Sequence, residues 1–582
     1  MASRSRRILS DALPLRLVGN AAMAAATAAR SLGEDPTLFG IQLARRFPLA
    51  RRALVRAAAS ARGADAALLG AWMRGELDAV RGILDETSGP GLSRLAAEVA
   101  QAAGRPELVV DDPTAHPVAR ARAAWQLGEA TTAIALLDGV RAPRLRRVLR
   151  AERALMTPGT RLRWTHAGAP TVDGHGVLHL LTNSLPHTQS GYTIRSHAVL
   201  RAQRDAGLAP VAMTRVGYPV VVGGLGARAI DVIDGIAYHR ALPVALASTP
   251  DGRLRQQADA LAALAARIGP AALQTTTHYP NAVVVREVAE ALGLPWAYEV
   301  RGMLEQTWLS GLASDEARER ARSSERYALV RAREAELAAA ADAVFTLADR
   351  MRDDLVERGV PRERIELVPN GIDAALLERE RPAPADARLG VGLPREGFWV
   401  GAASSIVDYE GFDVLLRAVA QARAAGHDIR ALLIGDGTAR PALLTLATEL
   451  GLDGAAVLPG RVPREAAAQW LDALDVVVVP RVDREVTRTV APLKPIEAMA
   501  AGAPLLVSDL PPLVESVGPG MVAAGATVPP GDAGALAERL AEIARTPPAR
   551  EELADAGKRR AAERTWGSVA QTYRDAYGRL GV

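Results

Sequence analysis

Between Gly176 and Ser508 the chain alternates repeatedly between short, unbroken apolar runs and longer stretches with helical periodicity. The runs at 177–182, 211–214, 296–300 and 343–346 are mostly apolar at successive rather than alternate positions, and 273–277 (Leu-Gln-Thr-Thr-Thr) keeps the same rhythm. A strand of that kind must be covered on both faces, which requires a parallel sheet with helices packed on either side. The intervening stretches 192–205, 281–292 and 315–340 supply those helices. After a linker at 379–386 the rhythm resumes, with strands expected at 398–402, 429–434, 456–458, 476–479 and 505–507. Helices are expected between them at 412–424, 439–450 and 464–474. The pattern predicts an α/β protein with two successive β/α domains, over 166–380 and 381–582, and a cleft between them.

Residues 1–165 follow a different rule. Helix follows short helix, at 48–61, 64–85, 91–103, 118–128, 130–137 and 143–155, with a break at Ser88-Gly-Pro-Gly91. The stretch 119–155, with Trp125, Leu127 and Gly128, loosely resembles a helical-hairpin repeat, so an all-helical and repeat-like N-terminal region is expected. Residues 1–160 carry about 23 arginines against about 15 acids. That excess either solvates helical faces or meets anionic lipid headgroups. No binding motif or aromatic platform accompanies it, so nucleic acid is not an expected partner. No stretch approaches the roughly 18 uninterrupted apolar residues of a membrane span, and the arginines at 4, 6 and 7 precede no convincing signal-peptide core. A cytoplasmic location is expected, with peripheral contact at the inner face of the membrane as its extension. The absence of cysteine excludes disulfides, thiolate metal sites and cysteine nucleophiles.

In doubly wound sheets, ligands bind beyond the carboxyl ends of strands, so polar residues at those turns carry the functional information. After the first strand, Asn183-Ser-Leu-Pro-His-Thr-Gln-Ser-Gly-Tyr192 ends in a small-residue turn at Ser190-Gly191, where backbone can approach an anion at a helix start. Further turns follow at Asn370-Gly371, Gly435-Asp-Gly437 and Gly460-Arg-Val462. Lys494 is one of two lysines in a chain that otherwise uses arginine for positive charge. Glu497 stands three positions later, so the two share a helical face. They form either a surface ion pair or a site in which a compact ammonium meets a phosphate oxygen.

Taken in order, Val368-Pro-Asn-Gly-Ile-Asp373, Leu433-Ile-Gly-Asp-Gly437, Leu458-Pro-Gly-Arg-Val462 and Lys494-Pro-Ile-Glu-Ala-Met-Ala-Ala-Gly502 resemble the family-4 retaining glycosyltransferases of the GT-B fold. Val507-Ser-Asp509 and Glu515 continue the resemblance, which covers roughly residues 175–582 and leaves the helical region outside it. It implies two Rossmann-like domains and places the family's ribose-binding glutamate on Glu497. The amides from Val490 to Leu493 would face a diphosphate, Lys494 would add charge as the leaving group forms, and Gly460–Val462 would hold the nucleobase. Ser190-Gly191 matches the loop that closes on the donor phosphates.

Two departures accompany the resemblance. The family's usual motif carries a second glutamate eight residues before the first, and here that position is Thr489. Many relatives place an arginine and a lysine in the loop that reads Ser404-Ser-Ile-Val-Asp-Tyr-Glu-Gly411, and this chain has Ser405 and Glu410 instead. Lys494, helped by Arg481 or Arg488, is then the expected source of phosphate neutralisation. Some relatives share the pairing of Tyr-Glu-Gly with Pro-Leu-Lys-Pro, which reads as a subgroup. On the acceptor side, His278 ends one strand and either moves a proton, binds a sugar hydroxyl or makes a structural hydrogen bond. Arg301 ends the next, and either holds a phosphate or pairs with Glu299 or Glu305.

The expected function is transfer of a sugar, with retention, from a nucleoside-diphosphate sugar to a hydroxyl of a glycan or lipid-linked acceptor in cell-envelope or exopolysaccharide synthesis. The sugar nucleotide is a co-substrate, and neither cofactor nor metal is expected. A nucleotide-sugar epimerase of the same fold, or a non-catalytic nucleotide-binding scaffold, are the alternatives.

Overall fold

A computed structural model describes residues 13–34, 48–60, 63–87, 91–165, 174–312 and 314–582. The expected break at 88–90, the arginines at 4, 6 and 7, and Ala61 lie outside the described residues. The chain divides into two compact units. One gathers the residues up to Phe345 with Leu355–Ile365 and Tyr577–Val582; the other comprises Thr346–Asp354 and Glu366–Ala576.

The first unit is built on a sheet whose strands are β1 (Val177–Leu181), β2 (Val211–Thr214), β3 (Ile230–Ile233), β4 (Ile236–Arg240), β5 (Ala272–Thr276), β6 (Trp296–Val300), β7 (Ala343–Thr346) and β8 (Ile365–Leu367). Their order is β3-β4-β2-β1-β5-β6-β7-β8. Every residue of β1, β5, β6 and β7 is buried, polar ones such as Gln274, Thr275, Thr276 and Glu299 included, as a sheet covered on both faces requires. The sheet is not wholly parallel, because β3 pairs antiparallel with β4 at one edge. That hairpin escaped the sequence reading although it carries a strong turn signal. Asp234-Gly235 joins Ile233 to Ile236, and both turn residues have positive φ (48° and 79°), as a two-residue hairpin requires.

The helical region belongs to this same unit. The helix expected over 64–85 is two, Ala64–Arg74 and Leu77–Glu86, because Gly75 takes a left-handed conformation (φ 86°) and closes the first. The helices Pro117–Gln126, Ala130–Ala135 and Pro143–Met156 have 10, 6 and 14 residues, so no regular repeat emerges. The core of the region continues into the helices Leu304–Ser310 and Asp315–Arg322, which follow β6; Leu309, Leu312, Ala317 and Ala321 are buried with Leu68, Trp72, Val99 and Leu127. Gly128 allows the junction: a Cβ there would lie 2.1 Å from Ser324 Oγ and 2.6 Å from the Trp308 ring. Ser324 also divides the helix expected over 315–340, since its hydroxyl caps a new helix, Glu325–Ala340, by accepting from the Tyr327 amide.

The second unit holds the strands β9 (Phe398–Ala403), β10 (Ile429–Ile434), β11 (Ala456–Gly460), β12 (Val476–Val479), β13 (Leu505–Ser508) and β14 (Thr527–Val528). They lie parallel in the order β11-β10-β9-β12-β13-β14. Read from the first strand outward this is 3-2-1-4-5-6, the doubly wound arrangement. The fold is therefore two Rossmann-like β/α regions preceded by a helical region.

Candidate functional site

In a sheet ordered 3-2-1-4-5-6 the winding reverses between the first and fourth strands, leaving a crevice beyond their carboxyl ends. In the second unit these are β9 and β12, so the loops after Ala403 and Val479 border the crevice. Gly411 brings the loops together. It has φ 72°, and a Cβ there would lie 1.9 Å from the Pro480 carbonyl oxygen, so only glycine fits. The Val482 amide donates to the Tyr409 carbonyl at 3.1 Å and fastens the contact.

That approach places Glu410 between two cations. Its Oε2 is 2.5 Å from Lys494 Nζ and its Oε1 is 2.9 Å from an Arg481 guanidinium nitrogen. Arg481 also donates to the Val490 carbonyl at 3.0 Å, which ties the triad to the loop preceding the helix Lys494–Ala500. The Glu410 side chain is 5% exposed and that of Lys494 is 20% exposed. Burial pushes the Glu410 carboxyl up, but Lys494 and Arg481 together outweigh it and hold it below its ordinary value. For Lys494, burial lowers the ammonium and Arg481 adds to that; Glu410 opposes both, and the result lies at about 8. The site thus holds two cations and one anion, with one ammonium edge open to solvent. A net positive charge beside a helix start suits an oxyanion.

Around this centre the other predicted residues fall as follows. Glu497 is exposed in the first turn of the Lys494–Ala500 helix, one turn along from Lys494. Thr489 is buried at the end of the short helix Glu485–Thr489, and its hydroxyl donates to the Glu485 carbonyl at 2.9 Å. Val490 and Leu493 line the connection between the two helices, half-buried. Asn370 holds that connection by donating from its side-chain amide to the Ala491 carbonyl at 3.2 Å. Ser405 is exposed in the loop after β9, and Gly460 closes β11 with φ 88°, its carbonyl accepting from the Gly435 amide at 2.9 Å. Val462 follows, packed against the core. Arg488 is engaged elsewhere, in an exposed pair with Asp483. Of the two arginines expected to assist Lys494, only Arg481 joins it.

The sheet of the first unit reverses between β1 and β5. Ser190 and Gly191 follow β1, and Ser190 caps the helix Gly191–Asp205 in a reciprocal box with Thr193. The Tyr192 hydroxyl reaches back to Thr276 Oγ1 at 2.5 Å, closing the turn against the end of β5. His278 stands two residues past the end of β5, at the start of the helix Tyr279–Leu292. Burial lowers its imidazole to about 4, and its Nδ1 is buried without a hydrogen-bond partner. A neutral ring with a low pKa is a poor proton acceptor at neutral pH but a competent hydrogen-bonding group. Arg301 is committed to Glu299, with Nε 2.8 Å from Oε1, and donates to Ser196 Oγ at 2.7 Å. Arg195 meets the same carboxylate at 2.9 Å. Of the two roles open for Arg301, the structure presents the ion pair with Glu299.

The residue that sequence reasoning misjudged is Glu410. It reads as a cation lost, whereas in three dimensions it faces Lys494, 84 positions away. No local periodicity carries that pairing, and the joint occurrence of Tyr-Glu-Gly and Pro-Leu-Lys-Pro was the available signal. Asn370 reads in the sequence as part of a turn, and its tether to Ala491 has no sequence signature. Among the described residues no group of His, Asp and Glu is disposed to hold a metal ion.

Residues 190–371 match the glycosyl transferase 4-like domain family, and residues 397–546 match the family described as glycosyl transferases group 1. A 2-deoxystreptamine glucosyltransferase of Streptomyces kanamyceticus is 31% identical over 211 residues, 35% of this chain and 49% of that protein. The chain thus spans about half the length of this curated relative. Among solved structures, a sucrose-phosphate synthase from Thermosynechococcus elongatus superposes with a TM-score of 0.55 at 22% identity, over 70% of this chain and 99% of that one. Anabaena HepE in complex with UDP and glucose gives 0.52 at 17% identity, over 69% of this chain and all of that one. These likenesses are of fold. With both β/α regions matched in order along the sequence, the chain belongs, through residues 190–546, to the family-4 glycosyltransferases of the GT-B fold.

Proposed function

We propose that the protein is a retaining glycosyltransferase that moves a sugar from a nucleoside-diphosphate sugar to a hydroxyl acceptor in cell-envelope or exopolysaccharide synthesis. The observation that carries this reading is the triad of Lys494, Glu410 and Arg481 at the crevice of a doubly wound sheet, with the exposed Glu497 one turn away. A diphosphate fits the positive side of that triad, and a carboxylate accepting from two adjacent ribose hydroxyls fits Glu497. Lys494 stabilises the charge that develops on the departing diphosphate, while the amides from Val490 to Leu493 orient it. Gly460 and Val462 hold the base through backbone groups, and Ser405 borders the phosphates. In the first unit the helix start at Ser190-Gly191 suits an anion, and His278 suits a hydroxyl as a neutral hydrogen-bonding ring. Arg301, paired with Glu299, positions the end of β6. Thr489, its hydroxyl turned onto its own helix, supplies no charge to the sugar.

The relative in complex with UDP and glucose supports uridine as the first donor base to try. The test is turnover of UDP-, GDP- and ADP-sugars by purified protein, with and without acceptor glycans, alongside Glu497→Ala. Acceptor-dependent release of nucleoside diphosphate, with KM for donor raised at least about tenfold in Glu497→Ala, is the expected result. Isomerisation or hydrolysis without any acceptor would assign the epimerase chemistry instead. Donor binding without turnover under every acceptor would leave a nucleotide-binding scaffold.

A further inference from the structure

The helix Leu13–Glu34 presents its faces in an unusual order. Buried Asn20 faces the protein, where its side-chain amide donates to the Leu225 and Ala227 carbonyls at 2.8 and 3.1 Å. Met23 lies on the same side, buried with Val216, Val220 and Ala227. The opposite side, which on a solvated helix carries charge, presents Leu17, Val18, Ala21, Ala22, Ala25 and Ala28 to the exterior. Val18 is 67% exposed.

The loop that receives Asn20 is apolar outward as well. Val221, Val222 and Leu225 are exposed, Val222 by 50%. They stand on a tight turn, Val220–Val222, closed by Gly223 with φ 100°. The turn is anchored at its base by the Gly217 amide on the Ala241 carbonyl and by buried Tyr218. Side chains on so constrained a turn cannot fold back to hide. Helix and loop meet through Asn20 and Met23, so their exposed apolar residues form one continuous surface of the first unit.

We infer that this surface lies against an anionic lipid bilayer, with the helix in the plane of the interface. The charges within it are predominantly basic. Residues 13–33 and 215–230 contain no acid; Arg16 and Arg30 are the basic residues of the helix, whose last residue is Glu34, and Arg228 stands on the exposed part of the loop. Arginine beside exposed apolar residues is the pattern of an interfacial helix on acidic headgroups. A second copy of the chain would set arginine against arginine across a symmetric contact, which disfavours that occupant. Among the described residues no helix is long and apolar enough to cross a membrane, so the helix rests on the bilayer rather than spanning it. The inference does not rest on the transferase reading, because lipid binding requires neither donor nor acceptor.

The experiment is co-sedimentation of the full chain with phosphatidylcholine vesicles with and without phosphatidylglycerol, for wild type and for Val18→Asp/Val222→Asp. Both side chains are exposed, so the pair is expected to melt like the wild type. Wild type is expected to bind the anionic vesicles, more weakly as salt rises, and the pair to bind at least about tenfold more weakly. Arg228→Glu is expected to weaken binding at low salt and less so at high salt. Equal binding by wild type and the pair would overturn the assignment. So would a wild type that ignores anionic vesicles but forms a dimer in light scattering that the pair abolishes.

Discussion

Lys494 and Glu410 invite a double-mutant cycle in which stability and activity separate. Replacing Lys494 with Met keeps the stem and removes the ammonium. Glu410, its side chain 5% exposed, is then left with Arg481 alone at 2.9 Å. Breaking a buried ion pair outright costs about 3–5 kcal/mol. Arg481 retains half of the pairing and Lys494 is a fifth exposed, so the expected loss is about 1.5–2.5 kcal/mol by urea denaturation. Activity is expected to fall further, about 10²- to 10³-fold in kcat, since a cation facing developing charge is lost. Adding Glu410→Gln removes the orphaned carboxylate and leaves an amide oxygen for Arg481 to donate to. The double variant is expected to regain about 1–2 kcal/mol of stability and none of the activity. Recovery of activity in the double variant would refute the reasoning, because Lys494 would then act only by neutralising Glu410. A single variant as stable as wild type would refute the ion pair itself.

Further outcomes follow from the same geometry and from the junction of the helical region. Lys494 is lowered from 10.5 to about 8, so kcat/KM is expected to decline through about pH 8 as the ammonium that faces the leaving group is lost. Glu410 raises the Lys494 pKa, so in Glu410→Gln the alkaline limb is expected to move to lower pH, and an unmoved limb would detach Lys494 from it. Gly128→Ala places a methyl 2.1 Å from Ser324 Oγ and 2.6 Å from Trp308, and is expected to cost about 2–3 kcal/mol.

How much of this was legible in the sequence differs by element. The strands β1, β9, β10 and β12 declared themselves because largely apolar runs can be satisfied only by burial on both faces, while β5 and β6, with Gln274, Thr275, Thr276 and Glu299, were legible from their place in the alternation. The hairpin of β3 and β4 was missed although Asp234-Gly235 marked it, since a mixed edge contradicts the parallel rhythm on either side. Helix ends were misplaced where one residue decided them, Gly75 by its left-handed φ and Ser324 by its cap. Lys494 and Glu497 drew attention through composition and spacing, both local properties.

Sequence by itself determined the class of fold, the family, and which turns hold polar groups at strand ends. Each of these follows from patterns a few residues long, where propensity and periodicity act directly on the chain. What only the tertiary structure decided is which charges meet. Glu410 stands opposite Lys494 because Gly411 lets one loop pass within contact of Pro480. Arg488 turns to Asp483, and Arg301 settles on Glu299. An ion pair is fixed by distance and burial, and neither is written in the spacing of residues that the fold brings together from 84 positions apart.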